Sequence, residues 1–162
     1  MYEDLDSLDH DPELAQALGS MLAAWARAET TLVHAYAVAT GLHLNLCSAA
    51  YYKIPTFEAR AKVLLALIEE RPDPFPERGT LMKAVSGLVA LAPTRNRWVH
   101  AVWVSKAGST LTHVFNMGKD GKSRVAQQIT GNAVRQHVLA VQAKAREIEK
   151  LSSVVIKRRR RP

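Results

Sequence analysis

Only one cysteine, Cys47, occurs in the 162 residues. That excludes an intramolecular disulfide and suits a reducing compartment. No apolar stretch approaches the ~20 residues that span a bilayer, because charge, glycine or proline interrupts each one. The N-terminus has no basic region followed by an apolar core, so no secretion signal is expected. These absences together predict a cytoplasmic protein with no membrane partner. Lysine and arginine are missing from residues 1–13, which hold Glu3, Asp4, Asp6, Asp9, Asp11 and Glu13 of the fifteen acids.

Metal-binding and nucleophile patterns are also missing. No pair of His, Cys, Asp or Glu has structural-zinc spacing, and the acids of residues 3–13 spell no 12-residue calcium loop. No metal or cofactor is therefore expected. Cys47 has no identifiable partner base and reads as a small buried residue. No Gly-x-Ser-x-Gly elbow exists. Gly118-Lys119-Asp120-Gly121-Lys122-Ser123 is not a phosphate-binding loop, because the pattern needs glycine where Asn116 stands and a helix after the lysine.

What is present is a chain of one domain's length with 48% apolar residues, enough for a core. From residue 14 onward there are 22 bases against 9 acids, a formal +13, ending in Lys157-Arg158-Arg159-Arg160-Arg161-Pro162. A solvated tail explains this charge, and so does contact with a polyanion such as a phosphate backbone.

The periodicity is helical over most of the chain. Asp11-Pro12-Glu13 supplies an N-cap, a first-turn proline and a first-turn acid. Leu14, Leu18, Met21, Trp25, Leu32, Tyr36 and Ala39 follow at helical spacing, with Ala28 and Glu29 filling the gap, and Gly41 ends the helix. A short helix is expected over Leu44–Tyr52. A third is capped by Thr56, with Phe57, Ala61, Leu64 and Ile68 inward, and is stopped at Arg71-Pro72-Asp73-Pro74. Gly79-Thr80 starts a fourth helix with Leu81, Val85, Leu88 and Ala92 inward. Pro93 predicts a kink or a fresh helix start just before Arg95.

The period then changes. Val102–Val104, Thr110–Phe115 and Arg124–Ile129 read as strands joined by turns at Lys106–Ser109 and Lys119–Lys122. Thr130 caps a last helix with Val134, Val138, Val141, Ala145, Ile148 and Leu151 on one stripe. The expected fold is mainly α: a bundle of four to five helices with a small antiparallel β-element before the last helix. An acidic arm (1–11), one helical domain (12–156) and a basic tail (157–162) make up the expected organisation.

The chemically richest segment is Arg95-Asn96-Arg97-Trp98-Val99-His100. On an ideal helix Asn96 and His100 lie about 40° apart and ~6 Å along the axis, sharing a face. Arg95 and His100 are about 140° apart, so Arg95 joins them only through helix irregularity, a wrapped side chain or a second subunit. Arginine offers a planar donor fork matched to phosphate, histidine shuttles a proton near neutral pH, and asparagine orients or donates. Such a set can cleave RNA without metal, by attack of a ribose 2′-hydroxyl on the adjacent phosphorus. Equally, these residue types decorate many helix surfaces, and His100 can simply favour a helix C-terminus as a cation.

The segment resembles the R-N-x-x-x-H signature of HEPN (higher eukaryotes and prokaryotes nucleotide-binding) domains. The similarity extends over roughly residues 12–152. It takes in a long first helix with Trp25 and Glu29, the Phe57-Glu58-Ala59-Arg60 helix, and the motif late in a further helix before Trp103. Val99-His100-Ala101-Val102-Trp103 is similar to a V-H-G-x-W ending in some bacterial members, with Ala101 in place of glycine.

The resemblance implies a helical homodimer in which Arg95 binds the scissile phosphate, Asn96 supports the site and His100 is the acid/base. It implies a metal-independent endoribonuclease of a toxin–antitoxin, defence or RNA-processing system, with an antitoxin or nucleotidyltransferase-like partner. The alternative it leaves open is an inactive dimer that binds RNA, a nucleotide or a protein partner.

Glu29 lies on the apolar stripe of the first helix and would pair with Arg60 or Arg95, orient His100, or remain a partly exposed acid. Arg60, beside the Phe57/Ala61/Leu64 stripe, is a second supporting candidate. Arg97 and Lys157–Arg161 are candidate RNA contacts. Tyr51 and Tyr52 either stack on bases or pack a short helix.

Overall fold

Asp11 starts the first helix by side-chain capping: its Oδ1 accepts from the Leu14 amide at 2.9 Å. The structure is a computed structural model that describes residues 8, 11–71, 75–105, 112–117 and 123–159. The expected turns at Lys106–Ser109 and Lys119–Lys122, most of the acidic arm, Pro72–Pro74 and Arg160–Pro162 lie outside the described residues.

Helix α1 spans Pro12–Thr40. Leu14, Met21, Trp25, Leu32, Tyr36 and Ala39 are buried, as their spacing predicts, while Leu18 is half-buried. Gly41 follows in the left-handed region at φ 76°, which a side chain would strain, and its amide donates to Ala37 at 2.9 Å. The Arg71 guanidinium donates to the carbonyls of Val38 and Ala39. A cation thereby satisfies acceptors that the end of α1 leaves open.

Helices α2 (Leu44–Lys53) and α3 (Phe57–Glu69) are short. Thr56 caps α3 by accepting from the Ala59 amide at 3.2 Å, and Ala61, Leu64 and Ile68 form its buried stripe. Helix α4 spans Arg78–Val99 with Pro93 inside it. Of the kink or fresh helix start expected before Arg95, the fresh start does not occur, because one missing amide hydrogen costs a single helical bond while flanking Ala92 and Trp98 remain buried.

Strands β1 (Val102–Ser105), β2 (Thr112–Met117) and β3 (Ser123–Gln128) pair antiparallel in the order β1-β2-β3. Val102 opposes Phe115, Met117 opposes Ser123, and a register shift falls between His113 and Val114.

Helix α5 spans Gly131–Arg159, capped by Thr130, whose hydroxyl accepts from the Ala133 amide at 3.2 Å. Its buried stripe runs Val134, Val138, Val141, Ala145, Ile148, Ser152 and Val155. That stripe passes through Ser152 and leaves the expected Leu151 half-buried. Helix α5 also continues to Arg159, three residues into the segment expected to be a tail.

The described chain is mainly helical, and no helix in it is long and apolar enough to cross a membrane. It divides into two compact units. One joins residues up to Ala23 with Ala92–Leu139, and is cored by Leu14, Ala17, Met21, Trp98, Ile129, Val134 and Val138. The other joins Ala24–Leu91 with residues from Ala140 on, and is cored by α1, α2, α3, α4 and α5 side chains such as Leu32, Tyr51, Leu64, Leu88 and Ile148.

Candidate nucleic-acid site

The motif spans the last turn of α4 and His100, the residue that follows it. Trp98 is its anchor: the indole is 8% exposed and meets the His137 ring of α5 edge-on, with centroids 5.2 Å apart. Burial there holds the His137 imidazole below its ordinary range, since the charged form loses hydration. With Trp98 inward, Asn96, Arg97 and His100 are exposed, and Arg95 is half-buried.

The backbone amide of His100 donates to the Asn96 carbonyl at 3.1 Å. This closes a helical turn and stacks the two side chains on one face. Arg95 Nη1 donates to Asn96 Oδ1 at 2.9 Å. Of the three routes that bring Arg95 toward that face, this structure contains the wrapped side chain. Because a guanidinium only donates, the contact also turns the amide oxygen of Asn96 toward Arg95 and its NH2 group away. The result is a partly exposed set of phosphate-matched donors one helical turn from an imidazole.

Alanine at position 101 is compatible with this exit. No described non-glycine residue has a positive φ, so the chain leaves α4 without a left-handed residue after His100.

An open cleft of about 200 Å³ lies beside the motif. Leu18, Met21 and Leu22 of α1 line it with Trp98, Val99 and Trp103, and Leu8 also contributes. Leu22 and Val99 are 49% and 38% exposed, so the apolar surface is open to solvent. The sequence reading missed this cleft. Its signal was Leu22, a large apolar residue one position off the inward stripe.

Glu29 and Arg60 form a second constellation. Arg60 Nη1 meets Glu29 Oε2 at 2.7 Å, and the two side chains are 15% and 22% exposed for Arg60 and Glu29. Arg60 Nε donates to the Ile54 carbonyl at 2.8 Å, and the guanidinium lies 5.2 Å and 5.3 Å from the ring centres of Tyr51 and Tyr52. Trp25 meets Phe57 edge-on nearby in the sequence of both helices, at 5.1 Å. Of the partners open to Glu29, the structure holds Arg60. This arrangement ties α1, α2 and α3 together, and it uses the Arg60 charge internally.

Tyr51 is wholly buried, so its ring has no face for a base. Its hydroxyl has no hydrogen-bond partner among the described residues. Burial, reinforced by the Glu29 charge, pushes the phenol far above its ordinary range. Tyr52 is exposed, and its ring stands edge-on to Tyr51.

The basic segment is partly committed to the fold. Lys157 and Arg158 are exposed residues of α5. Arg158 makes a two-pronged contact with Glu77, Nη2 to Oε1 at 2.8 Å and Nη1 to Oε2 at 3.1 Å. Those bonds hold the Glu77 carboxyl below the usual carboxylate range. Arg159 ends α5, and Arg160 and Arg161 lie outside the described residues.

No group of three or more His, Cys, Asp or Glu among the described residues is placed to hold a metal ion. Comparisons with family models, curated proteins and solved structures gave no match.

Proposed function

We propose that the protein is a HEPN-type, metal-independent endoribonuclease acting as a homodimer, with Arg95, Asn96 and His100 as its site. The observation that carries this reading is the Arg95–Asn96 bond on the face that Asn96 shares with His100. Arg95 binds the scissile phosphate and stabilises the charge that builds on it. Asn96 fixes the guanidinium and keeps its NH2 group for a phosphate oxygen. The His100 imidazole removes the proton from the ribose 2′-hydroxyl, the 2′ oxygen bonds to phosphorus, and the bond to the 5′ oxygen breaks. That leaving oxygen takes up a proton, giving a cyclic phosphate and a 5′-hydroxyl. DNA, which lacks the 2′-hydroxyl, is not cut.

A basic body of +13 from residue 14 onward supports RNA as the substrate. Cytoplasmic residence and an antitoxin or nucleotidyltransferase-like partner belong to the same proposal. Incubation of pure protein with diverse RNAs in EDTA tests it. Wild type is expected to cleave, and His100→Ala to be slower by about 10²–10⁴-fold, the usual size of general acid–base assistance. Equal cleavage by wild type and His100→Ala, or none by either, would remove the catalytic claim.

The exposure of Asn96 and Arg97, with half-buried Arg95, beside an apolar cleft also favours a second reading, an inactive dimer that binds RNA, nucleotide or a protein partner. For RNA, that reading predicts affinity that survives His100→Ala and falls steeply with salt.

A further inference from the structure

Trp98 and Val99 occupy a special position. They lie within the motif, between Asn96 and His100, yet their side chains line the apolar cleft. On α4, Arg95 is three residues before Trp98 and four before Val99, so all three share a face. The cleft lining therefore begins one helical turn along α4 from Arg95, whose guanidinium meets Asn96. Its side-chain lining carries no charge, while Arg95, Arg97 and His100 supply cationic or proton-transfer chemistry on the same turns of helix.

A nucleotide has the matching division: an anionic phosphate joined through ribose to a planar base with two apolar faces. At about 200 Å³, the cleft is smaller than the ~300–1,000 Å³ typical of sites for whole small-molecule ligands. It suits one planar group. Indole rings are good platforms for an unstacked base, and single-stranded RNA is commonly read by such stacking.

We infer that this cleft seats one nucleobase of a single-stranded RNA, the base of the nucleotide whose phosphate Arg95 holds. The inference rests on the reading of Arg95 as a phosphate ligand, and adds a base subsite to it. Trp103, half-buried, offers ring surface, and Leu22 and Val99 form the open apolar walls. The subsite selects single strands, since a base inside a duplex is stacked and paired. It discriminates weakly among the four bases, because the described lining offers a stacking surface without charged groups.

The test measures equilibrium binding of a short single-stranded RNA, blocked against cleavage by 2′-O-methyl groups, and of the same strand with its bases removed one at a time. For wild type, removal of one base is expected to weaken binding about tenfold, the order found when one stacking contact is lost. Leu22→Glu and Trp103→Leu are expected to lose a similar factor on the intact strand and to become indifferent to that removal. Wild type that tolerates every single removal overturns the subsite, and this comparison requires no variant to fold. So do folded variants that bind as wild type does.

Sedimentation of Leu22→Glu separates the other occupant. A shift from dimer to monomer with unchanged RNA affinity assigns the cleft to a second copy of the chain and overturns the proposal. Cleavage of unblocked RNA is scored separately. Loss of cleavage in His100→Ala alongside indifference to base removal leaves the nuclease standing and the subsite fallen. Base-dependent binding without cleavage gives the reverse.

Discussion

The Tyr51 hydroxyl, like the Ser152 hydroxyl, is buried without a hydrogen-bond partner among the described residues. A buried hydroxyl that loses its bond to water costs free energy, and the ring is already held by Tyr36, Tyr52 and Arg60. Tyr51→Phe is therefore expected to raise stability, by up to about 1 kcal/mol in urea unfolding. A loss of that size would show that the hydroxyl is hydrogen-bonded in solution. The residue-level reading of the sequence succeeded where one helix contains the whole relation, as for Asn96 and His100. It left three routes for Arg95, since the reach of a long side chain depends on its rotamer, which spacing does not specify. Glu29 and Arg60 are 31 positions apart, and periodicity ranks no partner across such a gap.

At the scale of elements, α4 is the informative case. Pro93 has no amide hydrogen to give the Val89 carbonyl, yet the helix continues to Val99. Pro93 is exposed, so alanine there meets no packed neighbour and restores the missing donor. Pro93→Ala is expected to stabilise by about 1–3 kcal/mol, the range set by proline's helix cost. For a chain of this size that is a rise of roughly 2–4 °C per kcal/mol in a thermal melt. A lower melting temperature would mean that the turn before Arg95 depends on the proline ring. Helix existence was legible from apolar period and from caps such as Asp11, Thr56 and Thr130, whose bonds depend on the nearest residues alone. The persistence of α4 through Pro93 was not legible, because burial of Ala92 and Trp98 is a tertiary term. The length of α5 was hidden similarly: Ser152 and Val155 keep the stripe going, and Arg158 finds Glu77 far away in sequence.

At the scale of the whole molecule, two groups among the described residues, His137 and Glu77, contribute to the acid response with the same sign. His137 titrates below its ordinary value of 6.5 when folded, owing to burial, so the unfolded chain takes up its proton first. Its contribution is complete above about 6.5 and is lost as pH falls toward and through the lowered folded value. Glu77, bonded to Arg158, titrates below its ordinary 4.5, and its contribution is lost as pH falls from there through the folded value. Melting temperature is thus expected to fall in two stages on acidification. His137→Phe flattens the first stage, and Glu77→Gln flattens the second. A profile for His137→Phe parallel to wild type between pH 7 and 5 would contradict the first assignment. Periodicity revealed the helical class and composition the basic excess, while the division into two compact units depends on which helix segments pack together.

The three tryptophans give the protein a built-in optical division of labour. Trp25 is 3% exposed and Trp98 8%, so water barely reaches either, whereas Trp103 is half-buried at the cleft. The red edge of the intrinsic emission therefore belongs chiefly to Trp103, and a small quencher such as acrylamide should extinguish that component first. Whatever fills the cleft, which Trp98 and Trp103 both line, can be followed in unlabelled protein as a blue shift and a loss of quenching, chiefly of the more exposed Trp103.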